Sequence, residues 1–131
     1  MNNEELIELA KKARQNSKSL HSNFKVGAAL LTNNGTVYTG TNIEDPQFLI
    51  LGICAERLAL YKAIEANEKD FLKIAIVGGI DTLVKTTPCG ICRQFMLMFC
   101  PNIEVVYLDN NQNVSVKNIK ELLPEGFEET F

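Results

Sequence analysis

Three of the four cysteines fall in two short segments, Cys54-Ala55-Glu56-Arg57 and Thr87-Pro88-Cys89-Gly90-Ile91-Cys92-Arg93. Each segment opens a run of helical character, Arg57-Leu58-Ala59-Leu60-Tyr61-Lys62-Ala63-Ile64 and Arg93-Gln94-Phe95-Met96-Leu97-Met98-Phe99. Pro88 suits a helix start, where its missing N–H would be unpaired in any case. Cys89 and Cys92 stand three apart, which puts them on one helix face. The N–H groups of a first helical turn favour negative charge. Two such ends that converge would gather three thiolates around one metal ion. Zinc held by three protein ligands keeps its fourth position for water, which marks a catalytic site rather than a structural one. The bound metal lowers the pKa of that water to about 7. Glu56, two residues after Cys54, is the carboxylate best placed to shuttle protons.

Each of these readings has a plainer rival. Cys100 could complete a closed structural site as the fourth ligand. Cys89 and Cys92 could form a redox pair, although that leaves Cys54 unexplained. Glu56 could simply be an acid favoured at a helix N-terminus. Arg57 could be a surface charge, and Cys100 a small apolar core residue. His21, the only histidine, reads as a surface or interface residue rather than a ligand.

The rest of the chain must position these groups. A length of 131 residues suits one domain with one core, here residues 1–131. Hydrophobic residues make up 46% and charged residues 22%, which is ordinary for a soluble globular protein. A net charge of −3 argues against a nucleic-acid partner, which usually meets a basic face. No apolar run approaches the roughly 20 residues that cross a bilayer. Four cysteines without a leader segment fit metal binding in a reducing, cytoplasmic compartment better than disulfides.

Residues 2–13 read as a helix, capped by Asn2 or Asn3 and striped by Leu6, Leu9, Ala10 and Ala13. Residues 24–31 alternate as a strand, Asn33-Asn34-Gly35 signals a hairpin turn, and residues 36–43 return as a second strand. Asn42 and Glu44 then fall at alternate positions of a strand end and point the same way. From spacing alone they read as two solvated residues. Residues 45–53 form a loop with an apolar centre, Phe48-Leu49-Ile50-Leu51, of the kind that packs under another element or meets a partner chain. Short strands are expected at 72–77, 104–108 and 114–116. Asn118 and Glu121 suggest a capping box for a last short helix that ends at Pro124. This order predicts an α/β fold, a three-layer α/β/α arrangement around a mixed five-stranded sheet.

The two cysteine segments match the zinc nucleobase-deaminase signature in its three-cysteine form. From about Ser22 to Phe127 the chain resembles the small, homotetrameric, single-zinc cytidine deaminases. The likeness rests on Phe24-Lys25-Val26-Gly27-Ala28-Ala29-Leu30, Asn42-Ile43-Glu44, Cys54-Ala55-Glu56-Arg57, residues 88–94, and Glu121-Leu122-Leu123-Pro124 with Phe127. It implies that Cys54, Cys89 and Cys92 bind Zn²⁺ and that Glu56 is the proton shuttle. It implies that Asn42 and Glu44 bond the ribose hydroxyls, that Phe24 lies against the pyrimidine, and that the backbone of Ala55 contacts the base. Arg57 would donate to the cysteine sulfurs and offset their negative charge. Phe127 would close over the base in another subunit's site. The implied reaction is hydrolytic deamination of cytidine and 2′-deoxycytidine in pyrimidine salvage. A deaminase for a modified cytosine nucleoside or a nucleoside antibiotic of the blasticidin-S type is the runner-up. A non-catalytic, zinc-stabilised interaction domain is the rival of another class. The chain departs from the family in three places. Leu20-His21-Ser22 replaces a usual Pro-Tyr-Ser, Thr41 and Asp45 replace a Cys and an Asn, and the loop of residues 42–54 is one residue longer. In the family that loop reaches a neighbouring subunit's sugar, and Phe48 stands here in place of a usual Tyr.

Overall fold

The side chain of Asn2 accepts the backbone N–H of Glu5 at 2.8 Å and so starts the first helix, α1 (Asn3–Arg14). Glu4 and Glu5 lie in its first turn and Lys11, Lys12 and Arg14 in its last, as the helix dipole favours. Leu6, Ile7, Ala10 and Ala13 form its buried stripe. The computed structural model describes residues 1–128. After α1 come β1 (Lys18–Ser19), β2 (Lys25–Thr32), β3 (Val37–Thr41) and β4 (Ile43–Glu44). A turn of 3₁₀ helix (Leu49–Leu51) follows, then α2 (Ala55–Glu65), β5 (Phe71–Gly79) and α3 (Gly90–Phe99). The chain continues through β6 (Glu104–Leu108), β7 (Val114–Asn118) and α4 (Ile119–Leu122). Asn118 and Glu121 form the expected capping box on α4.

Five strands make one sheet in the order β3-β2-β5-β6-β7. Only β5 and β6 are parallel; the other neighbours are antiparallel. The parallel pair needs a crossover connection, and α3 lies within it. The sheet is apolar on both faces. Ala28, Leu30, Ile74, Ile76 and Val105 pack with Ala59, Leu60 and Met96 on the α2 and α3 side. Ala29, Leu31, Ala75, Val77 and Val106 pack with Leu6, Ile7 and Ala10 of α1 on the other. The expected three-layer α/β/α arrangement with a mixed five-stranded sheet is therefore observed.

Strand limits differ from expectation by a few residues, and three differences have local reasons. The second strand begins at Lys25 because Phe24 spends its backbone elsewhere. Its N–H donates to Ser22 Oγ at 3.0 Å and its C=O accepts from Asn42 Nδ2 at 2.7 Å. Pro88 does not occupy the first helical position. Cys89 is the N-cap and Gly90 begins α3, so Pro88 precedes the cap and shapes the entry into it. A small two-stranded sheet was not foreseen. In it β1 pairs in parallel with β4, and Ile43 exchanges backbone hydrogen bonds with Ile53. Two-residue strands carry no periodicity to read.

Gly40 sets the approach of α2 to the sheet. A Cβ there would collide with the carbonyl of Ala55 and stand 2.7 Å from the backbone nitrogen of Ala59. Only a bare α-carbon lets the first turns of α2 sit this close to β3.

Candidate active site

Cys54 is the N-cap of α2 and Cys89 the N-cap of α3, and neither side chain makes a capping hydrogen bond. Both sulfurs are therefore free to turn toward each other. Cys92 joins them from the first turn of α3. Cys54 Sγ lies 3.6 Å from Cys89 Sγ, and Cys89 Sγ lies 3.5 Å from Cys92 Sγ. All three sulfurs lie within 4.8 Å of one another. Tetrahedral zinc with Zn–S bonds of about 2.3 Å needs sulfurs about 3.8 Å apart. The two distances from Cys89 match that spacing to within a few tenths of an ångström.

Proximity also divides the protons among these sulfurs. Hydrogen bonds from Cys54 and Cys92 hold the Cys89 thiol far below its ordinary range. The same sharing, with burial, pushes Cys54 and Cys92 up. Arg57 Nη2 donates to Cys54 Sγ at 3.6 Å, so a fixed positive charge sits against the cluster. Cys100 takes no part. It is the C-cap at the far end of α3, buried, and burial alone pushes its thiol up to about 12. The closed four-cysteine site has no support in this geometry.

Glu56 follows Cys54 into the first turn of α2 and is only 4% exposed. Burial pushes its carboxyl up to about 7. Its own helix-start N–H pulls it down, the Cys89 thiolate adds to the rise, and Arg57 opposes it. A carboxyl in that range can both accept and return a proton at neutral pH.

A cavity of about 420 Å³ opens beside the cluster, within the range that holds small ligands. Cys54, Cys89, Glu56, Arg57 and Ala55 line one end, and Phe24, Ser22, Asn42 and Glu44 line the other. Asn42 and Glu44 are more than the solvated strand end that spacing suggested. Asn42 is only 8% exposed. Its Oδ1 accepts from the Val26 N–H at 2.9 Å and from the Ser17 hydroxyl, and its Nδ2 donates to the Phe24 carbonyl. Burial would raise the Glu44 carboxyl, but hydrogen bonds from the Ser22 N–H, the Ser22 hydroxyl and the His21 N–H bring it below the ordinary value. Glu44 is therefore charged at neutral pH.

Phe127 does not reach the cavity of its own chain. It is 79% exposed, beside a groove on α2 and α3 lined by Tyr61, Ile91, Phe95 and Phe99. Gln94 holds its backbone at both ends, accepting the Phe127 N–H at 3.0 Å and donating to its C=O at 2.7 Å. The neighbouring Arg93 donates to the carbonyls of Pro88 and Leu122 at 2.7 and 2.6 Å, and to Thr87 Oγ1 at 2.9 Å. The C-terminal segment is thus tied to the helix that carries Cys92. The chain order shows Arg93 and Gln94 beside the cysteines, but not what they would hold. The apolar loop divides: Leu49 lines the cavity, whereas Phe48 is 60% exposed and Ile50 92%.

Known proteins share this arrangement. The family described as the cytidine and deoxycytidylate deaminase zinc-binding region matches residues 1–108. A cytidine deaminase of Halalkalibacterium halodurans is 41% identical over 128 residues, covering 97% of this chain and 95% of that protein. One from Sporosarcina psychrophila is 40% identical over 128 residues, covering 97% and 92%. The crystal structure of a cytidine deaminase from Burkholderia pseudomallei superposes with a TM-score of 0.87 at 43% identity, over 97% of this chain and all 100% of the other.

The cluster geometry separates the roles of two cysteines. Cys89→Ala is expected to lose bound zinc, whereas Cys100→Ala keeps it, as metal quantification of the purified proteins would show. Zinc loss in Cys100→Ala would return the fourth sulfur to the site.

Proposed function

The chain belongs to the cytidine and deoxycytidylate deaminase family, and on that premise we propose that it hydrolyses cytidine and 2′-deoxycytidine to the uridine nucleosides and ammonia. One observation carries the reading. Two sulfurs of a three-sulfur cluster, a buried carboxyl and the polar pair Asn42 and Glu44 line one cavity.

Cys54, Cys89 and Cys92 would hold the zinc ion. When bound, zinc supplies Lewis acidity and activates water at neutral pH. Glu56 then accepts a proton from the attacking water, passes it to N3 of the pyrimidine, and assists the departure of ammonia from C4. Positioned proton transfer of this kind contributes roughly 10²–10⁴-fold. The ring of Phe24 walls one side of the base, and the backbone of Ala55 at the start of α2 meets its edge. Asn42 and Glu44 hold the sugar. Arg57 offsets the negative charge that three thiolates leave around a single divalent ion. The presence of Glu56 in the cavity disfavours a purely structural zinc domain.

The reading extends to assembly and setting. Residues 1–131 act as a single deaminase domain, in the cytoplasm, in pyrimidine salvage. No described helix is long and apolar enough to cross a membrane, and thiolate ligands need the reducing compartment that cytoplasm provides. Four copies would form a homotetramer in which the exposed Phe48–Leu51 loop and Phe127 of one chain complete a neighbour's site. Exposed apolar groups of this size support that arrangement.

Glu56→Gln is expected to keep its zinc and fold and lose at least about a hundredfold in kcat, in a spectrophotometric cytidine assay. Normal turnover by this variant would refute the assigned proton path. Sedimentation at assay concentration is expected to show a tetramer, and Phe127→Ala to raise KM with zinc retained. An active monomer would refute the shared sites.

A further inference from the structure

The Glu44 carboxylate is held by a residue that the reaction as described leaves idle. Oε1 accepts from the His21 N–H at 3.2 Å and the Ser22 N–H at 2.8 Å, and the single hydroxyl hydrogen of Ser22 is shared between Oε1 at 3.0 Å and Oε2. Oε2 meets the Ser22 hydroxyl at 2.9 Å and has no other partner among the described residues. Ser22 Oγ in turn accepts the Phe24 N–H at 3.0 Å. On its other side, Phe24 gives its carbonyl to Asn42 Nδ2.

A census of donors and acceptors shows what this network leaves free. Both acceptor positions on Asn42 Oδ1 are filled, by Val26 and Ser17, and one Nδ2 hydrogen goes to Phe24. One N–H donor remains. On Glu44 the crowded oxygen is Oε1, which takes both backbone N–H groups, so Oε2, which meets only the Ser22 hydroxyl, keeps one open lone pair. One donor beside one charged acceptor is the complement of a hydroxyl group, which donates and accepts. That complement depends on which way the carboxylate faces. Ser22 is the only residue that touches both of its oxygens among the described hydrogen bonds.

We propose that Ser22 is a positioning residue of the sugar subsite. Its hydroxyl fixes the Glu44 carboxylate with Oε2 open to the sugar, and ties it to the backbone of Phe24. The acceptor for the sugar and the wall for the base are then held by one side chain. This rests on the reading of the cavity as a cytosine-nucleoside site with Glu44 on the ribose. Ser22 touches neither the metal cluster nor Glu56 in the described hydrogen bonds, so its loss should act on binding rather than on chemistry. Ser22 is itself exposed, and a smaller side chain there opens no core cavity.

The test compares zinc-loaded wild type, Ser22→Ala, Ser22→Thr and Glu44→Gln on cytidine and on 2′,3′-dideoxycytidine, which lacks both ring hydroxyls. Ser22→Ala leaves the backbone N–H bonds to Glu44 and removes only the hydroxyl. KM for cytidine should rise about tenfold, the weight of one hydrogen bond to a charged group, with kcat within about twofold. On the dideoxy substrate the penalty in kcat/KM should shrink to about twofold or less, because no hydroxyl is there to miss the misaimed carboxylate. Ser22→Thr, which keeps the hydroxyl, should restore the cytidine KM. An unchanged KM in Ser22→Ala, or an equal penalty on both substrates, would overturn the proposal. A wild type without cytidine turnover would overturn the underlying reading and the proposal with it. A Glu44→Gln variant with normal KM would instead locate the failure at Glu44.

Discussion

Mutual repulsion of three sulfur ligands is the constraint that the rest of this structure answers. Sulfurs at 3.5 and 3.6 Å can lose their protons together only if positive charge is waiting for them. The ends of α2 and α3 supply part of it, since unpaired first-turn N–H groups carry the positive end of the helix dipole. Both helices lie on one face of the sheet, and their caps converge. Arg57, in the first turn of α2, adds a full charge at 3.6 Å from Cys54. Gly40 is part of the same answer, because any side chain there would push the first turns of α2 away from β3.

The cavity contains two carboxyl groups with opposite surroundings. Glu56 is buried against the sulfurs and pushed up to about 7. Glu44 lies where three donors from His21 and Ser22 outweigh desolvation, and it remains ionised. Two groups of the same chemistry are thus shifted in opposite directions, as environment rather than residue type decides. The network that fixes Glu44 also holds Phe24 and Asn42 by their polar atoms.

Much of this was legible in the order of residues. Helix caps, the turn at Asn33-Asn34-Gly35 and the apolar alternation of β2 are local signals, and they placed the elements within a few residues. The cysteine spacing pointed to the three sulfurs that the fold brings together. The surroundings of Asn42 and Glu44 were harder to read from spacing. Asn42 and Glu44 looked like a solvated strand end because their partners, Ser17, His21 and Ser22, lie over twenty residues away and carry no pattern. Gln94 and Arg93 are similar: their partners Phe127 and Leu122 are 33 and 29 residues distant. Pro88 was placed two positions too far into its helix, because Cys89 takes the cap with its backbone alone.

The central claim is that three sulfurs hold zinc and leave its fourth position open beside Glu56. X-ray absorption at the zinc edge of the purified protein tests this most directly. The account predicts three sulfur ligands at about 2.3 Å and one lighter oxygen or nitrogen ligand at about 2.0 Å. A shell of four sulfurs would contradict it.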